Sequence, residues 1–385
     1  MPGHGDSFAR DFRIFDDGPR LVPTLDRTHG GDVERWAHRA GIEAGELVDF
    51  SASINPLGPP PSARKAFIQC YGDISLYPDS SGEKLKEALA EHHGMASAEV
   101  LLGNGSTQLI YLLCAALRPR KALIVGPAFS EYANALTLGG AHIRQLTPDA
   151  DDDFQFSMPR FMSAWDKDCD IVFVPRPNSV TGQVISAVDI EKIADAARVR
   201  QCFIVIDEAF VDFVEAESAK ARVRQNPYLI VLRSLTKYYA LPGLRLGYLF
   251  GDTTRIEQLA AYQQPWSVNA PALSVALACL RDVSFTTKTN RWLKEEKRFL
   301  SRRLTALAEF HPFPSRANFL LIKIQRQGVD ALQLRSFLLG KKILIRPCDS
   351  FAGLGASYFR IAVKRRKNNL QLLAALEEWT VSPRG

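Results

Sequence analysis

Five short apolar runs divide the first two thirds of the chain, and each of them ends at a turn or at a polar residue. They cover residues 121–125, 171–174, 203–206, 229–232 and 246–250. The runs are continuous rather than alternating, and stretches with helical spacing separate several of them. Strands that are buried on both faces have this pattern, because helices cover the two sides of a parallel sheet. The sequence therefore predicts an α/β fold with a large, doubly wound and mostly parallel sheet.

The pattern changes after Pro265, where a long helical region over 270–310 precedes shorter elements. The predicted strands there are 319–324, 343–346 and 358–363, and the predicted helices are 329–339 and 368–379. A chain of 385 residues is long enough for two domains at about 150 residues each. We therefore expect an N-terminal extension and arm over 1–47, a large domain over 48–270, and an interdomain helix with a small C-terminal α/β domain over 271–385.

Within the predicted large domain, the 3–4 spacing of apolar residues predicts helices over 83–93 and 108–117. Ser106 or Thr107 is the expected N-cap of the second helix, since a side-chain oxygen there accepts from a free backbone N–H group. Residues 49–61 are rich in proline, so we expect an extended segment rather than a helix or a central strand.

Composition and charge exclude several classes of protein. Hydrophobic residues make up 46% and charged residues 23%, which is the ordinary balance of a globular chain. The net charge of +6 is spread along the chain, and the short basic runs at 341–342 and 364–367 are typical of solvated edges. Residues 1–20 are polar, and no stretch approaches the ~18 apolar residues of a membrane span. We expect a cytoplasmic protein with neither a nucleic-acid nor a membrane partner.

The cysteines indicate neither a metal site nor a redox dithiol. They are far apart, they form no CxxC pair, and several lie in apolar runs where cysteine packs as a small hydrophobic residue. A reducing compartment is the simpler interpretation. The six positions are Cys70, Cys114, Cys169, Cys202, Cys279 and Cys348.

Four short segments stand where a strand ends or a helix begins, which is where ligands collect in open α/β sheets. They are 103–107 (GNGST), 204–209 (IVIDEA), 232–237 (LRSLTK) and 241–248 (LPGLRLGY). Each segment alone also has an ordinary structural interpretation: a strand-to-helix turn, a helix N-cap or ion pair, or a solvated lysine. Their order along one chain is more specific than any one of them.

Together the four segments supply the parts of a pyridoxal-phosphate site. The glycine-rich helix start suits a phosphate. Asp207 suits a pyridinium nitrogen, and Lys237 is an amine that can form a Schiff base. Arg245 interrupts an apolar run, so we expect it to be buried and to need an anion such as phosphate. The combination resembles the fold-type I superfamily of pyridoxal-phosphate aminotransferases, which implies that fold and a pyridoxal 5'-phosphate cofactor.

The resemblance extends to one branch of that superfamily. Residues 28–32 (THGGD), 49–58 (DFSASINPLG), 232–248, 265–270 (PWSVNA) and 343–348 (ILIRPC) are similar to the L-threonine-O-3-phosphate decarboxylases of cobalamin biosynthesis. Histidinol-phosphate aminotransferases are close relatives that share the lysine and the acid, and the HGGD opening favours the decarboxylases. The resemblance implies decarboxylation of L-threonine O-3-phosphate to (R)-1-aminopropan-2-yl phosphate and CO2. The alternatives are transamination of histidinol phosphate or a related amino acid, and decarboxylation of another anionic amino acid such as phosphoserine.

The resemblance also implies residue roles. Lys237 and Asp207 would be catalytic, the first holding the cofactor and the second keeping its ring nitrogen protonated. Tyr77 matches a tyrosine that relatives extend across a dimer interface to the cofactor phosphate, which implies a homodimer. The other implied cofactor-binding residues are Gly105, Ser106, Thr107, Phe129, Asn178, Ser179, Ser234 and Arg245. The implied substrate-binding residues are His29, Gly30, Ser53, Arg346 and Arg360, although His29 could equally cap a loop.

Two positions depart from the family pattern. Ser179 stands in the PNNPTG motif at the asparagine that normally contacts the phenolic oxygen of the cofactor, and Ser53 replaces an asparagine in SANINP that contacts the substrate. Both face the predicted reacting centre. The cofactor class is unaffected, but the substrate stays open between the alternatives given above.

Overall fold

The computed structural model describes residues 25–26 and 29–381. Its α-helices are α1 (Val33–Ala40), α2 (Pro61–Gln69), α3 (Glu83–His93), α4 (Gly105–Leu117), α5 (Ser130–Leu138), α6 (Met158–Ala164), α7 (Ala187–Arg200), α8 (Leu235–Tyr238), α9 (Thr253–Ala260), α10 (Ala270–Leu280), α11 (Val283–Thr305), α12 (Ala331–Gly340) and α13 (Arg366–Val381). Its strands are β1 (Val48–Asp49), β2 (Val100–Gly103), β3 (Lys121–Val125), β4 (His142–Leu146), β5 (Ile171–Pro175), β6 (Phe203–Asp207), β7 (Leu229–Ser234), β8 (Gly247–Phe250), β9 (Phe310–Pro312), β10 (Phe319–Ile324), β11 (Ile343–Leu344), β12 (Arg346–Pro347) and β13 (Tyr358–Ala362). Most of the predicted N-terminal extension, and Thr28 of its THGGD motif, lie outside the described residues.

Seven strands of the described chain form one sheet in the order β2-β8-β7-β6-β5-β3-β4. β8 runs antiparallel to β2 and β7, and the other neighbouring strands are parallel. Alternate side chains of the central strands enter two different apolar clusters: Val172 and Val174 lie in one, Ile171 and Phe173 in the other. The sheet is therefore covered on both faces, and the predicted doubly wound α/β fold is confirmed.

A second, antiparallel sheet follows in the order β12-β13-β10-β9. α11 packs against β9 and α13, and α12 packs against β12. β1 pairs in parallel with β11, so the segment that precedes the large sheet is tied to the C-terminal part of the chain. No helix in the described ranges is long and apolar enough to cross a membrane.

Several element boundaries differ from the sequence predictions. α4 begins at Gly105 with Asn104 at its N-cap, one turn earlier than predicted. The expected extended segment over 49–61 ends in α2, because a proline is compatible with the first turn of a helix. The helical region predicted over 270–310 breaks between α10 and α11 and ends at Thr305, and Phe310 belongs to β9. The strand predicted over 343–346 is two short strands that pair with different neighbours.

The topology brings the chemically interesting segments to one edge of the large sheet. β6 and β7 are parallel, so Asp207 and Ser234 end neighbouring strands side by side. Gly247 pairs with Ser234 on one side and with Gly103 on the other, which places the start of α4 beside the end of β7. A Cβ at Gly247 would lie 2.4 Å from the Ser106 backbone nitrogen, so glycine is required there.

Candidate active site

A cavity of about 610 Å³ opens at this edge of the sheet. It is bounded by the segment around His29, the starts of α4 and α5, the ends of β6 and β7, and the second sheet. The predicted site residues that line it are His29, Gly30, Ser53, Ser106, Thr107, Phe129, Ser179, Asp207, Ser234, Lys237, Arg245, Arg346 and Arg360. Segments from across the whole sequence thus meet in one place.

One end of the cavity is suited to an anion. The N-terminus of α4 and the hydroxyl groups of Ser106, Thr107 and Ser234 face the guanidinium of Arg245. Gly105 has a φ of 78°, and a Cβ there would lie 2.6 Å from Arg245 Nη2. A side chain at Gly105 would therefore fill the space between the helix and the guanidinium.

The expectation that Arg245 is buried inside a strand is wrong. The residue precedes β8 in a left-handed turn with a φ of 56°, and it is exposed. Its Nη1 donates to the Pro242 carbonyl at 3.0 Å. The turn points the side chain back across the start of α4, so Arg245 reaches the cavity from the rim.

Lys237 lies in α8, directly after β7, and lines the cavity. Burial, together with the positive charges of Arg360 and Arg245, lowers the pKa of its amine to about 8. Its backbone carbonyl accepts from the Asn55 N–H at 3.1 Å. The Asn55 amide also donates to the Tyr238 carbonyl at 2.8 Å, so the SASINP segment holds the turn that carries the lysine.

Asp207 lies opposite this anion-binding end and is buried. The Tyr132 hydroxyl donates to Oδ2 at 2.5 Å, and the Ala209 backbone donates to Oδ1 at 2.8 Å. Burial raises the pKa of the carboxyl, while both hydrogen bonds and the charge of Lys237 act against the rise. A cationic group beside Asp207 would restore the anionic form.

Phe129 and His29 form a second wall of the cavity. Glu131, which the sequence analysis did not predict as a site residue, contacts His29. The two rings lie 5.6 Å apart between centroids. Glu131 is buried, and its Oε1 lies 3.1 Å from His29 Nε2. The same carboxylate accepts from the Tyr111 hydroxyl at 2.6 Å and from the Asn134 amide at 3.0 Å. The sequence did contain a signal for this contact. Glu131 and Asn134 are three residues apart, which places both on one face of α5 just after Phe129.

Two arginines from the second sheet form the remaining wall. Arg346 and Arg360 are directly opposite each other in β12 and β13. Arg360 donates to the Ser179 carbonyl and, at 3.4 Å, to the Ser51 carbonyl. Burial lowers the pKa of Arg360 to about 10. Within the described part of the chain, Arg360 Nε and the buried hydroxyls of Ser53 and Ser179 have no hydrogen-bond partner, and all three residues line the cavity.

Three of the predicted cofactor-binding residues do not line the cavity. Asn178 lines a neighbouring cavity, and its amide is engaged by the Pro127 carbonyl at 2.9 Å and by the Val180 N–H at 2.9 Å. Gly105 lies beneath Arg245 and does not itself line the cavity. Tyr77 is 81% exposed and stacks on Trp266 at 4.6 Å, outside the cavity of the single chain.

The donor set fits pyridoxal 5'-phosphate. The space left by Gly105 beneath Arg245 suits the phosphate. A protonated ring nitrogen suits Asp207, whose pKa burial raises, and the charges of both Asp207 and Arg245 act on the amine of Lys237. Phe129 offers a ring face on the same side as His29. The unpartnered hydroxyls of Ser53 and Ser179 stand at the positions where the family pattern has asparagines.

Comparison with known proteins shows the family of the chain. The family described as aminotransferase class I and II matches residues 45–376. A threonine-phosphate decarboxylase of Salmonella typhimurium is 39% identical over 350 residues, covering 90% of this chain and 95% of the relative. A histidinol-phosphate aminotransferase of Nitratidesulfovibrio vulgaris is 33% identical over 367 residues, covering 94% and 95%.

The solved structures give the same result. The crystal structure of a histidinol-phosphate aminotransferase from Clostridium acetobutylicum superposes with a TM-score of 0.81 at 28% identity. The alignment covers 86% of this chain and 99% of that chain. The similarity therefore extends over most of the chain.

Proposed function

Since this chain belongs to the family of class I and II aminotransferases, we propose that it is a pyridoxal 5'-phosphate enzyme that decarboxylates a phosphorylated amino acid. The first candidate is L-threonine O-3-phosphate, which would yield (R)-1-aminopropan-2-yl phosphate and CO2 as a step of cobalamin biosynthesis. The observation that carries the proposal is that Arg346, Arg360 and His29 of the HGGD opening line the same cavity as the anion-binding end. The two arginines offer cationic groups for both a carboxylate and a phosphate.

When bound, the cofactor supplies an electron-accepting ring that takes up the electron pair released when a bond to the substrate Cα breaks. Lys237 would hold it covalently, and Asp207, oriented by Tyr132, would keep a proton on its ring nitrogen. Ser106, Ser234 and the start of α4 would bind its phosphate. The positions of these side chains in the cavity support the proposed roles.

The protein selects the reaction by orienting the substrate. Only the Cα bond that stands perpendicular to the electron-accepting plane breaks readily. With Arg360 and Arg346 on one wall and His29 at the rim, the substrate is held at its two anionic ends, so its rotation about the Cα is restricted. Decarboxylation follows if the carboxylate is held perpendicular, and transamination with Lys237 as base follows if the Cα–H bond is.

A second candidate is an aminotransferase that acts on histidinol phosphate. It is favoured by the relatives of that name and by Arg360, which would also suit a carboxylate of 2-oxoglutarate. A third is decarboxylation of another anionic amino acid such as phosphoserine. Ser53 and Ser179 favour a changed substrate, because each replaces an asparagine of the family pattern at the reacting centre and has an unpartnered hydroxyl among the described residues.

A homodimer belongs to the same proposal. Tyr77 lies outside the cavity of its own chain, yet the family pattern has a tyrosine there that reaches a neighbouring site. A cytoplasmic location is consistent with the cysteines, all six of which are buried and unpaired.

The test measures CO2 release and glutamate formation by the purified enzyme on three substrates. L-threonine O-3-phosphate and phosphoserine are supplied alone, and histidinol phosphate is supplied with 2-oxoglutarate. We expect CO2 from L-threonine O-3-phosphate and no glutamate. Glutamate without CO2 would establish the aminotransferase, and preferential release of CO2 from phosphoserine would establish the third candidate.

A further inference from the structure

A second cavity, of about 680 Å³, lies directly outside the catalytic one. The two share His29, Gly30, Ser51 and Arg346, so only the turn around His29 and the Arg346 side chain separate them. We call this second cavity the basic vestibule. Its own wall is made by α1 and α12, through Arg35, Trp36, Arg39 and Arg335.

The basic vestibule collects more positive charge than its surroundings neutralise. Arg39 and Arg335 lie on the Trp36 ring, 5.1 and 4.1 Å from its centroid. Neither has a carboxylate within 4 Å among the described residues. Arg35 is paired with Asp32 at 3.7 Å, and that pair is exposed. The charge of Asp349 acts on Arg335, and the charges of Asp26 and Asp349 act on Arg346.

The arginines are close enough to affect one another. Burial lowers the pKa of Arg335, and the charges of Arg346, Arg39 and Arg35 lower it further, against Asp349. Arg335 Nε is buried without a hydrogen-bond partner in the described chain. Like charges around an open space repel each other unless an anion lies between them. A planar guanidinium group can donate two parallel hydrogen bonds to the oxygens of a phosphate.

We propose that the basic vestibule is a phosphate-binding site that captures the phosphorylated substrate before it enters the catalytic cavity. Arg346 lines both cavities, so the captured phosphate would keep a guanidinium group beside it on its way inward. A cleft of one sign of charge raises association rates by about 10- to 1,000-fold, and the gain falls with ionic strength. The proposal rests on the proposed function in one respect, namely that the substrate is phosphorylated.

The first experiment locates the site with inorganic phosphate. The cofactor-loaded enzyme is treated with phenylglyoxal, which modifies accessible arginines, in phosphate or in chloride of equal ionic strength, and the products are mapped by mass spectrometry. We expect phosphate to protect Arg39 and Arg335 severalfold, and to leave Arg198 and Arg302 equally modified in both salts. These two controls are exposed and line neither cavity. Equal modification of Arg39 and Arg335 in both salts would overturn the proposal.

The second experiment tests capture. The Arg39→Gln/Arg335→Gln enzyme is compared with Arg198→Gln/Arg302→Gln, which makes the same change in net charge, and with Arg39→Lys/Arg335→Lys, which keeps the charge. We expect kcat/KM for the phosphorylated amino acid to fall about tenfold in the first variant at low salt with kcat unchanged. The loss should shrink as salt is added, and the lysine variant should retain most of the activity.

Two outcomes separate the hypotheses. Phosphate protection without any change in kcat/KM would overturn capture, because phosphate would then occupy the basic vestibule without helping the substrate. If the unmodified enzyme turns over no phosphorylated amino acid, the proposed function fails, while the protection experiment still reports on the basic vestibule.

Discussion

Lys237 and Lys297 are both partly buried lysines, and burial lowers the pKa of each amine to about 8. A low pKa therefore does not identify the reactive amine. Lys297 Nζ donates to the carbonyls of Ser315 and Ala317 at 2.9 and 3.1 Å, so its position is structural. Lys237 lines the cavity between Asp207 and Arg245. Position in the cavity distinguishes the two residues.

We expect borohydride treatment of the cofactor-loaded enzyme to label Lys237 and to leave Lys297 unlabelled, because only the first amine reaches the cavity. Lys237→Ala should abolish the visible absorption of the bound cofactor as well as turnover. Peptide mapping by mass spectrometry makes the comparison within one sample. A label on Lys297 would contradict the assignment of the site.

The lowered pKa of Lys237 predicts a pH profile for cofactor attachment. Only the neutral amine attacks an aldehyde, so the attachment rate of the cofactor-free protein should rise about tenfold per pH unit below pH 8 and level off above it. An unshifted lysine would keep accelerating to above about pH 10. Because the charge of Arg360 helps to lower the pKa, Arg360→Gln should move the levelling point to higher pH. A profile that does not move would contradict this cause.

Glu131 is expected to act through His29. Its carboxylate holds the imidazole over the cavity, while Asn134, its neighbour on α5, also donates to the Asp26 carbonyl at 2.7 Å. Glu131→Gln should raise KM for the phosphorylated substrate about tenfold, since hydrogen bonds to charged groups contribute ~1.5–3 kcal/mol. We expect little change in kcat or in cofactor absorption. The control is Glu91→Gln, an exposed glutamate of α3; a loss in kcat with KM unchanged would contradict the positioning role.

At the scale of elements, a buried cluster of charged residues on the opposite face of the sheet stabilises the strands that carry the site. Glu208 follows Asp207, and Arg233 precedes Ser234, so both point to the opposite face of the sheet. Both are fully buried, and Arg233 Nη1 lies 3.1 Å from Glu208 Oε2. Arg233 also contacts Asp212 at 2.8 Å and Glu215 at 2.6 Å. The ends of β6 and β7 are thereby held side by side.

Removing Arg233 should be strongly destabilising, because Glu208 and Asp212 would lose their cation inside the protein. We expect Arg233→Met to lower the free energy of unfolding by about 3–5 kcal/mol in urea titrations. Arg303→Met removes the exposed ion pair with Glu377 and should cost about 1 kcal/mol or less. Similar losses in the two variants would show that the buried cluster does not hold the strands.

The sequence predicted those elements whose apolar pattern is continuous. β3 and α3 have the predicted bounds, and the central strands differ by a residue or two. β4 was missed because it is an edge strand with exposed side chains, so its sequence lacks the buried pattern. Arg245, and not Arg233, was predicted to be the buried arginine. The sequence alone does not distinguish an arginine that is buried among carboxylates from one that lies in a turn. The contact between Glu131 and His29 joins segments more than 100 residues apart, which no local pattern encodes.

At the scale of the whole molecule, one surface has more exposed apolar side chains than a lone chain would need. α2 and the short 3-10 helix over Cys70–Ser75 lead directly to Tyr77. Six large apolar residues in this stretch are between 50% and 81% exposed. They are Phe67, Ile68, Tyr71, Ile74, Leu76 and Tyr77. Patches of this kind mark interaction surfaces, and a second copy of the chain would bring its own Tyr77 toward this chain's cavity.

If this surface joins two copies, charges placed on it should separate them. We expect Ile68→Asp/Ile74→Asp to sediment as a monomer and to bind the cofactor at least about tenfold more weakly, because each site would lose the hydrogen bond that the neighbouring tyrosine gives to the phosphate. The matched control is Val188→Asp/Val199→Asp on α7, where the valines are 58% and 81% exposed. It should remain dimeric. A monomer that keeps full cofactor affinity and turnover would mean that each chain completes its own site, and the role proposed for Tyr77 would then be wrong.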